Sequence, residues 1–224
     1  MNSTPAITLF GGTFNPPHWG HLKPLKQAMT ALDISRVGLM PCHIPPHKKL
    51  INVSAQHRLA MLDILCKSEP SLYIENIELT CNDVSYTCNT LKKLKEIHQC
   101  TLNFVMGTDS FQSFKSWYQW QEILKLCNII VLNRNNRPLN KLQEVTQYIS
   151  CGPNDAVSLA DKEALSINNG IVVSCHFPTV AVSSTLIREK LEQGDYQYLE
   201  TGELLPLEVL EYIKQHQLYE RIKP

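Results

Sequence analysis

The sequence lacks an excess of either charge: among its 224 residues, lysine plus arginine and aspartate plus glutamate each number 21. With no overall positive field, neither nucleic acid nor an anionic membrane is an expected partner, and any phosphate-binding charge must be local. Long apolar runs are missing too, and none approaches the roughly 18 residues of a membrane span. Met1-Asn2-Ser3-Thr4-Pro5 offers no basic n-region and no apolar h-region. A secretory signal is therefore not expected, and the chain reads as soluble and cytoplasmic. Eight cysteines are present, yet none forms a CxxC pair, which argues against a zinc clip or a disulfide scaffold. Cys66 and Cys127 follow leucines in apolar stretches, so reduced, mostly buried thiols are expected. Internal repeats, low-complexity segments, the GxGxxG fingerprint and the GxxxxGK[ST] loop are all absent.

What is present is alternation. Ala6 to Phe10 is short, apolar and β-rich, and Gly11-Gly12 ends it. From His21 to Leu32 the apolar residues Leu22, Leu25, Ala28, Met29 and Leu32 recur at helical spacing, with Pro24 in the first turn where its missing N–H costs little. Val37 to Pro41 reads as a second strand, so the unit is βαβ with parallel strands. Ser54 is placed to cap a helix reaching about Cys66. Leu72 to Leu79 reads as a strand, Tyr86 to His98 as a helix, Leu102 to Gly107 as a buried strand, and the stretch to Leu126 as helical. Ile129 to Leu132 and Ile171 to Val173 are further strands, with helices near 184–193 and 206–217; residues 134–170 are irregular in pattern. These elements predict one α/β domain over 1–224, a Rossmann-like, doubly wound parallel sheet with helices on both faces. Residues from about 183 to 224 would form a small C-terminal helical part.

Ligands of such sheets bind outside the carboxyl ends of the strands, where four polar segments fall. Gly11-Gly12-Thr13-Phe14-Asn15-Pro16-Pro17-His18-Trp19-Gly20-His21-Leu22 follows the first strand. Its glycines allow close backbone approach to a ligand, and two imidazoles beside a helix start suit phosphate oxygens. A tight turn with capping histidines is the plainer alternative. Pro41 to Lys49 is stiffened by proline and carries His47, Lys48 and Lys49; alone, it is a solvated basic turn. Gly107-Thr108-Asp109 ends a central strand, and Asp109 could simply cap the next helix. Val182-Ser183-Ser184-Thr185-Leu186-Ile187-Arg188 opens a late helix, with Arg188 near enough to Ser184 to join a phosphate clamp.

GGTFNPPHWGHL resembles the signature of the (H/T)xGH nucleotidyltransferases, relatives of the class I aminoacyl-tRNA synthetases with their HIGH segment. Within that superfamily the chain is most similar to the bacterial nicotinate mononucleotide adenylyltransferases. The likeness covers most of the chain, although many bacterial members have aspartate where Asn15 stands. It implies the nucleotidyltransferase fold and adenylyl transfer from ATP to nicotinate mononucleotide, with magnesium carried by ATP. Gly11, Gly12, Thr13, Phe14, His18, His21, Gly107 and Asp109 would bind ATP, Asp109 through its ribose. Ser183, Ser184, Thr185 and Arg188, resembling the family's ISSTxIR, would hold the β- and γ-phosphates. His47 and Lys48 match a PPHK loop that meets phosphates. Ser85-Tyr86-Thr87 matches an SYT segment, making Tyr86 and Thr87 candidates for the nicotinate carboxylate, and Trp117, rather than Trp120, matches the aromatic that stacks on the pyridine. Asn15 and Arg134 would complete the mononucleotide site, and His18, His21, Lys48 and Arg188 would carry catalysis.

Other classes fit less well. Pantetheine-phosphate adenylyltransferase shares the first motif but does not explain SYT followed by Trp117. A class I synthetase would be longer and carry a KMSKS-like segment, which is absent. A non-catalytic nucleotide sensor would have little need of both histidines together with Lys48 and Arg188.

Overall fold

Seven strands form a single all-parallel sheet in the computed structural model, which describes residues 6–42, 53–80, 86–133, 139–178 and 180–220. The strands are β1 (Ile7–Gly12), β2 (Val37–Pro41), β3 (Leu72–Ile74), β4 (Leu102–Gly107), β5 (Asn128–Leu132), β6 (Gln147–Cys151) and β7 (Ile171–Cys175), in the order β3-β2-β1-β4-β5-β7-β6. The chain leaves β1 toward β2 and β3, then crosses back so that β4 lies on the other side of β1. That reversal between β1 and β4 opens a crevice at their carboxyl ends.

The central strands are apolar runs because helices cover both faces of the sheet. Period-2 alternation sorts their side chains. Phe10, Leu39, Val105, Ile130 and Val173 join a cluster with α1 (Trp19–Ala31), α2 (Ala55–Ser68), α7 (Ser184–Glu192) and α9 (Leu207–Gln215). Leu9, Met40, Phe104, Val131 and Val172 join the opposite cluster with α3 (Thr87–His98) and α5 (Trp120–Leu126). Between α3 and α5 lie α4 (Thr108–Gln112) and a 3-10 turn at Phe114–Ser116, and α6 (Leu159–Ile167) precedes β7. The C-terminal α8 (Tyr196–Leu199) and α9 share the first cluster with β1 and α1 rather than packing apart.

Most expected elements are present, and two regions differ. The strand expected over Leu72 to Leu79 stops at Ile74. Its partner β2 runs on past the Leu39↔Ile74 pair to Pro41, but the Glu75 carboxylate accepts the Ile77 N–H (3.2 Å), turning the chain away from the ladder. Within the irregular 134–170 stretch, β6 pairs along β7 and α6 is capped by Ser158, whose hydroxyl accepts the Asp161 N–H (3.1 Å). As an edge strand, β6 exposes Gln147 and Ser150, which breaks the apolar run that marks the interior strands. The cysteines among the described residues are all free thiols, five of them buried. Burial pushes the Cys127 thiol far above its ordinary range and Cys66 up to about 11. No helix among the described residues is long and apolar enough to cross a membrane.

Candidate active site

The first segment folds into a buried loop at the end of β1. Phe14 adopts a left-handed backbone (φ 48°), which turns its ring back over Gly12, where a Cβ would lie 3.0 Å from it. Gly11 is needed for a similar reason: a Cβ there would meet the Phe104 ring at 2.3 Å. The Asn15–Pro16 peptide is cis. His18, 1% exposed, is the extended N-cap of α1, and its carbonyl accepts the His21 N–H (2.9 Å). The two imidazoles stack with centroids 3.7 Å apart, and Phe10 and Phe14 edge onto His21 at 6.0 and 5.4 Å. Aromatic walls fix the rings, so the pair is set before any ligand arrives.

Distant elements hold this loop from outside. Arg58 of α2 donates to the Thr13 carbonyl (2.9 Å). From α7, the Ser184 hydroxyl donates to the Pro16 carbonyl (3.0 Å) and Arg188 Nη1 to the Asn15 carbonyl (2.8 Å), while Nη2 reaches Thr185 Oγ1 (3.1 Å). Ser183 caps α7 by accepting the Leu186 N–H (3.1 Å). The first and last motifs, about 170 residues apart in sequence, therefore share one surface. The Cys42 N–H donates to the Gly12 carbonyl (3.0 Å), bringing the end of β2 to the same edge. His47, Lys48 and Arg134 lie outside the described residues.

On the other side of β1, the pairing Phe10↔Val105 sets the end of β4 alongside, so Gly107 to Asp109 opens beside the loop. Asp109 is exposed in the first turn of α4. The Thr108 hydroxyl beneath it lies 3.2 Å from Asn133 Oδ1, Asn133 Nδ2 lies 3.1 Å from His176 Nδ1, and His176 Nε2 lies 2.8 Å from Ser174 Oγ. Sequence reasoning missed this network across β4, β5 and β7; no local pattern marks it.

The aromatic end adjoins through Phe104. The ring beneath Gly11 packs edge-on to Trp117 (centroids 6.3 Å), which also leans on Phe114 at 5.6 Å. Trp117 and Trp120 are both half-buried; Trp117 rests on Phe104 and Phe114, whereas Trp120 packs on Phe114 with Lys115 over its ring. Tyr86 is the N-cap of α3 and packs at a tilt against Tyr118 (centroids 4.8 Å), and Thr87 opens the helix. An anion is favoured there by the helix dipole. The geometry thus sets the stacked imidazoles at one end of the crevice and a group of aromatic side chains at the other.

The family model for cytidylyltransferase-like proteins matches residues 9–190, from within β1 to within α7. Similar proteins narrow the class. The probable nicotinate-nucleotide adenylyltransferase of Shewanella pealeana is 33% identical over 95% of this chain and 95% of its own. That of Hydrogenovibrio crunogenus is 34% identical over 98% of this chain and 100% of its own. The chain therefore belongs to the nicotinate-nucleotide adenylyltransferase family. The nicotinic acid mononucleotide adenylyltransferase of Plasmodium falciparum, solved in complex with NaAD, superposes with a TM-score of 0.69 at 17% identity, over 96% of this chain and 98% of its own. At that identity the likeness speaks to the fold.

Proposed function

We propose that this protein transfers the adenylyl group of ATP to nicotinate mononucleotide, yielding deamido-NAD and pyrophosphate, a step in NAD biosynthesis. The observation that carries this reading is the stacked His18–His21 pair at the β1–β4 reversal, in a loop gripped by the start of α7. A mononucleotide 5′-phosphate attacks the α-phosphorus of ATP; a P–O bond forms as the bond to the pyrophosphate oxygen breaks. Because the nucleophile is already ionised, catalysis rests on positioning and charge stabilisation rather than on a general base.

His18 and His21 donate to the phosphates as charge moves onto the leaving group. Ser183, Ser184, Thr185 and Arg188 hold the β- and γ-phosphates, Arg188 with the guanidinium donors left over from Asn15 and Thr185. Asp109 accepts from the ribose, with Gly11, Gly12, Thr13, Phe14 and Gly107 lining the nucleotide path. Asn15, His47, Lys48 and Arg134 meet the mononucleotide phosphate, and Trp117 stacks on its pyridine. Tyr86 and Thr87, at the start of α3, favour the acid over the amide. Magnesium arrives on the ATP phosphates, as suits an ion that keeps water and substrate ligands, and neutralises charge there. The whole chain acts as one catalytic domain with its C-terminal helices as a supporting part, and the cytoplasm, with its ATP, is the setting.

Pyrophosphate release tests the reading. Purified protein given ATP and magnesium should turn over fastest with nicotinate mononucleotide, more slowly with the nicotinamide form, and not with 4′-phosphopantetheine. Preference for phosphopantetheine, or no release with any acceptor, would sink it.

A further inference from the structure

The C-terminal segment reaches the signature loop from two directions. Leu204 accepts the Trp19 N–H (2.9 Å) and Gly202 accepts the Trp19 indole N–H (2.7 Å), fastening the start of α1. After α9, the left-handed residues Gln217 and Tyr219 (φ 50° and 67°) turn the chain back beneath the loop. There the Tyr219 hydroxyl donates to Asn15 Oδ1. The surroundings of that hydroxyl are shaped for the task. Burial pushes the phenol well above its ordinary range, so it stays a donor, and the Arg58 and Arg188 guanidinium groups stand near enough to oppose the rise. Those arginines hold the carbonyls of Thr13 and Asn15. Three elements thus converge on the backbone that leads into His18, and Tyr219 is the one that grips a side chain.

An amide can be flipped without moving its backbone, and only a partner decides which end faces where. With Oδ1 accepting from Tyr219, the Asn15 amide is held in the sense that turns its N–H donors away from that hydroxyl. The hydroxyl reaches the proposed mononucleotide site through Asn15.

We propose that Tyr219 is a positioning residue for adenylyl transfer: it fixes the Asn15 amide, and with it the loop that carries His18 into the crevice. This rests on the functional reading above. It predicts that losing the hydroxyl slows the chemical step more than it weakens ATP binding, since displacement of reacting groups by about 1 Å can cost about 100-fold.

The test compares Tyr219→Phe with Tyr212→Phe, which removes another C-terminal phenol bond, that to His57 Nδ1 (2.9 Å) on α2 rather than to a residue of the loop. Tyr219→Phe should lower kcat per folded molecule about 10- to 100-fold with the KM for ATP within about twofold, while Tyr212→Phe keeps kcat. Asn15→Ala removes the acceptor without touching C-terminal packing, and Asn15→Ala/Tyr219→Phe should be no slower than Asn15→Ala alone. The His18 and His21 ring-nitrogen NMR signals should shift in Tyr219→Phe and not in Tyr212→Phe. Wild-type kcat in Tyr219→Phe, equal losses in both tyrosine variants, or additive effects in the double variant would overturn the proposal. Should the wild type release no pyrophosphate, the functional reading fails by itself; unshifted histidine signals in Tyr219→Phe would then overturn the latch independently.

Discussion

At the β1–α1 end of the crevice His18 is 1% exposed and the loop around it is bonded from α2, α7 and the C-terminal segment, whereas at the α3–α5 end Tyr86 and Tyr118 remain 37% and 49% exposed. On the proposed function, the contrast follows from what each end has to recognise. Phosphate stabilisation depends on donors held in place, because each donor free to relax loses its advantage over water. A planar ring needs only a face to lie on, and burial of that face can be completed by the ligand. On that proposal the imidazole end is finished in the folded chain, and the aromatic end would be finished by the bound mononucleotide.

The largest way to break this comparison is His21→Ala. It should lower turnover by about 1000-fold or more while leaving the far-ultraviolet spectrum and melting transition in place; near-normal pyrophosphate release from the purified variant would remove His21 from the chemistry. At the open end, Trp117→Ala should raise the KM for the mononucleotide about tenfold, the equivalent of about 1.4 kcal/mol of lost stacking, with kcat little changed. Trp120→Ala should instead act on stability, and a reversal of the two tryptophans in a KM assay would reassign the stacking role. Gly11→Ala sharpens the link between the ends. A Cβ there would sit 2.3 Å from the Phe104 ring that supports Trp117, so denaturant titration should show a loss of about 1–3 kcal/mol together with weaker mononucleotide binding. Ser54→Ala should be the mildest change. It removes the cap that accepts the His57 N–H (3.3 Å) at the start of α2, and a cost of about 1 kcal/mol should lower Tm by about 2–4 °C. Since Arg58 lies in that first turn and holds Thr13, a large fall in kcat from so small a cost would mean that the closed end is less rigid than its bonds indicate.

The interior strands were legible in sequence because burial on both faces leaves continuous apolar runs, as in Leu102 to Gly107 and Ile129 to Leu132. The edge was not. In β6, polar Gln147 and Ser150 face water and dilute the signal, and β3 ends early because the Glu75 carboxylate accepts the Ile77 N–H and turns the chain off the ladder. Within the site, His18, His21, Asp109 and Arg188 stood in recognisable motifs. Tyr219, Arg58 and the Asn133–His176–Ser174 network did not, since a hydrogen bond across 204 residues leaves no periodicity and no local spacing to read.

Sequence alone determined the alternation of strands and helices, and with it a parallel sheet whose polar motifs fall at the strand ends, because burial pattern is written locally along the chain. It also supplied the imidazole pair, three residues apart around one helix start. Tertiary structure decided which carbonyl each guanidinium holds, which way the Asn15 amide faces and that the C-terminal segment closes beneath the first loop. Those choices depend on contacts between residues far apart in the chain, and only packing brings such residues within hydrogen-bond reach.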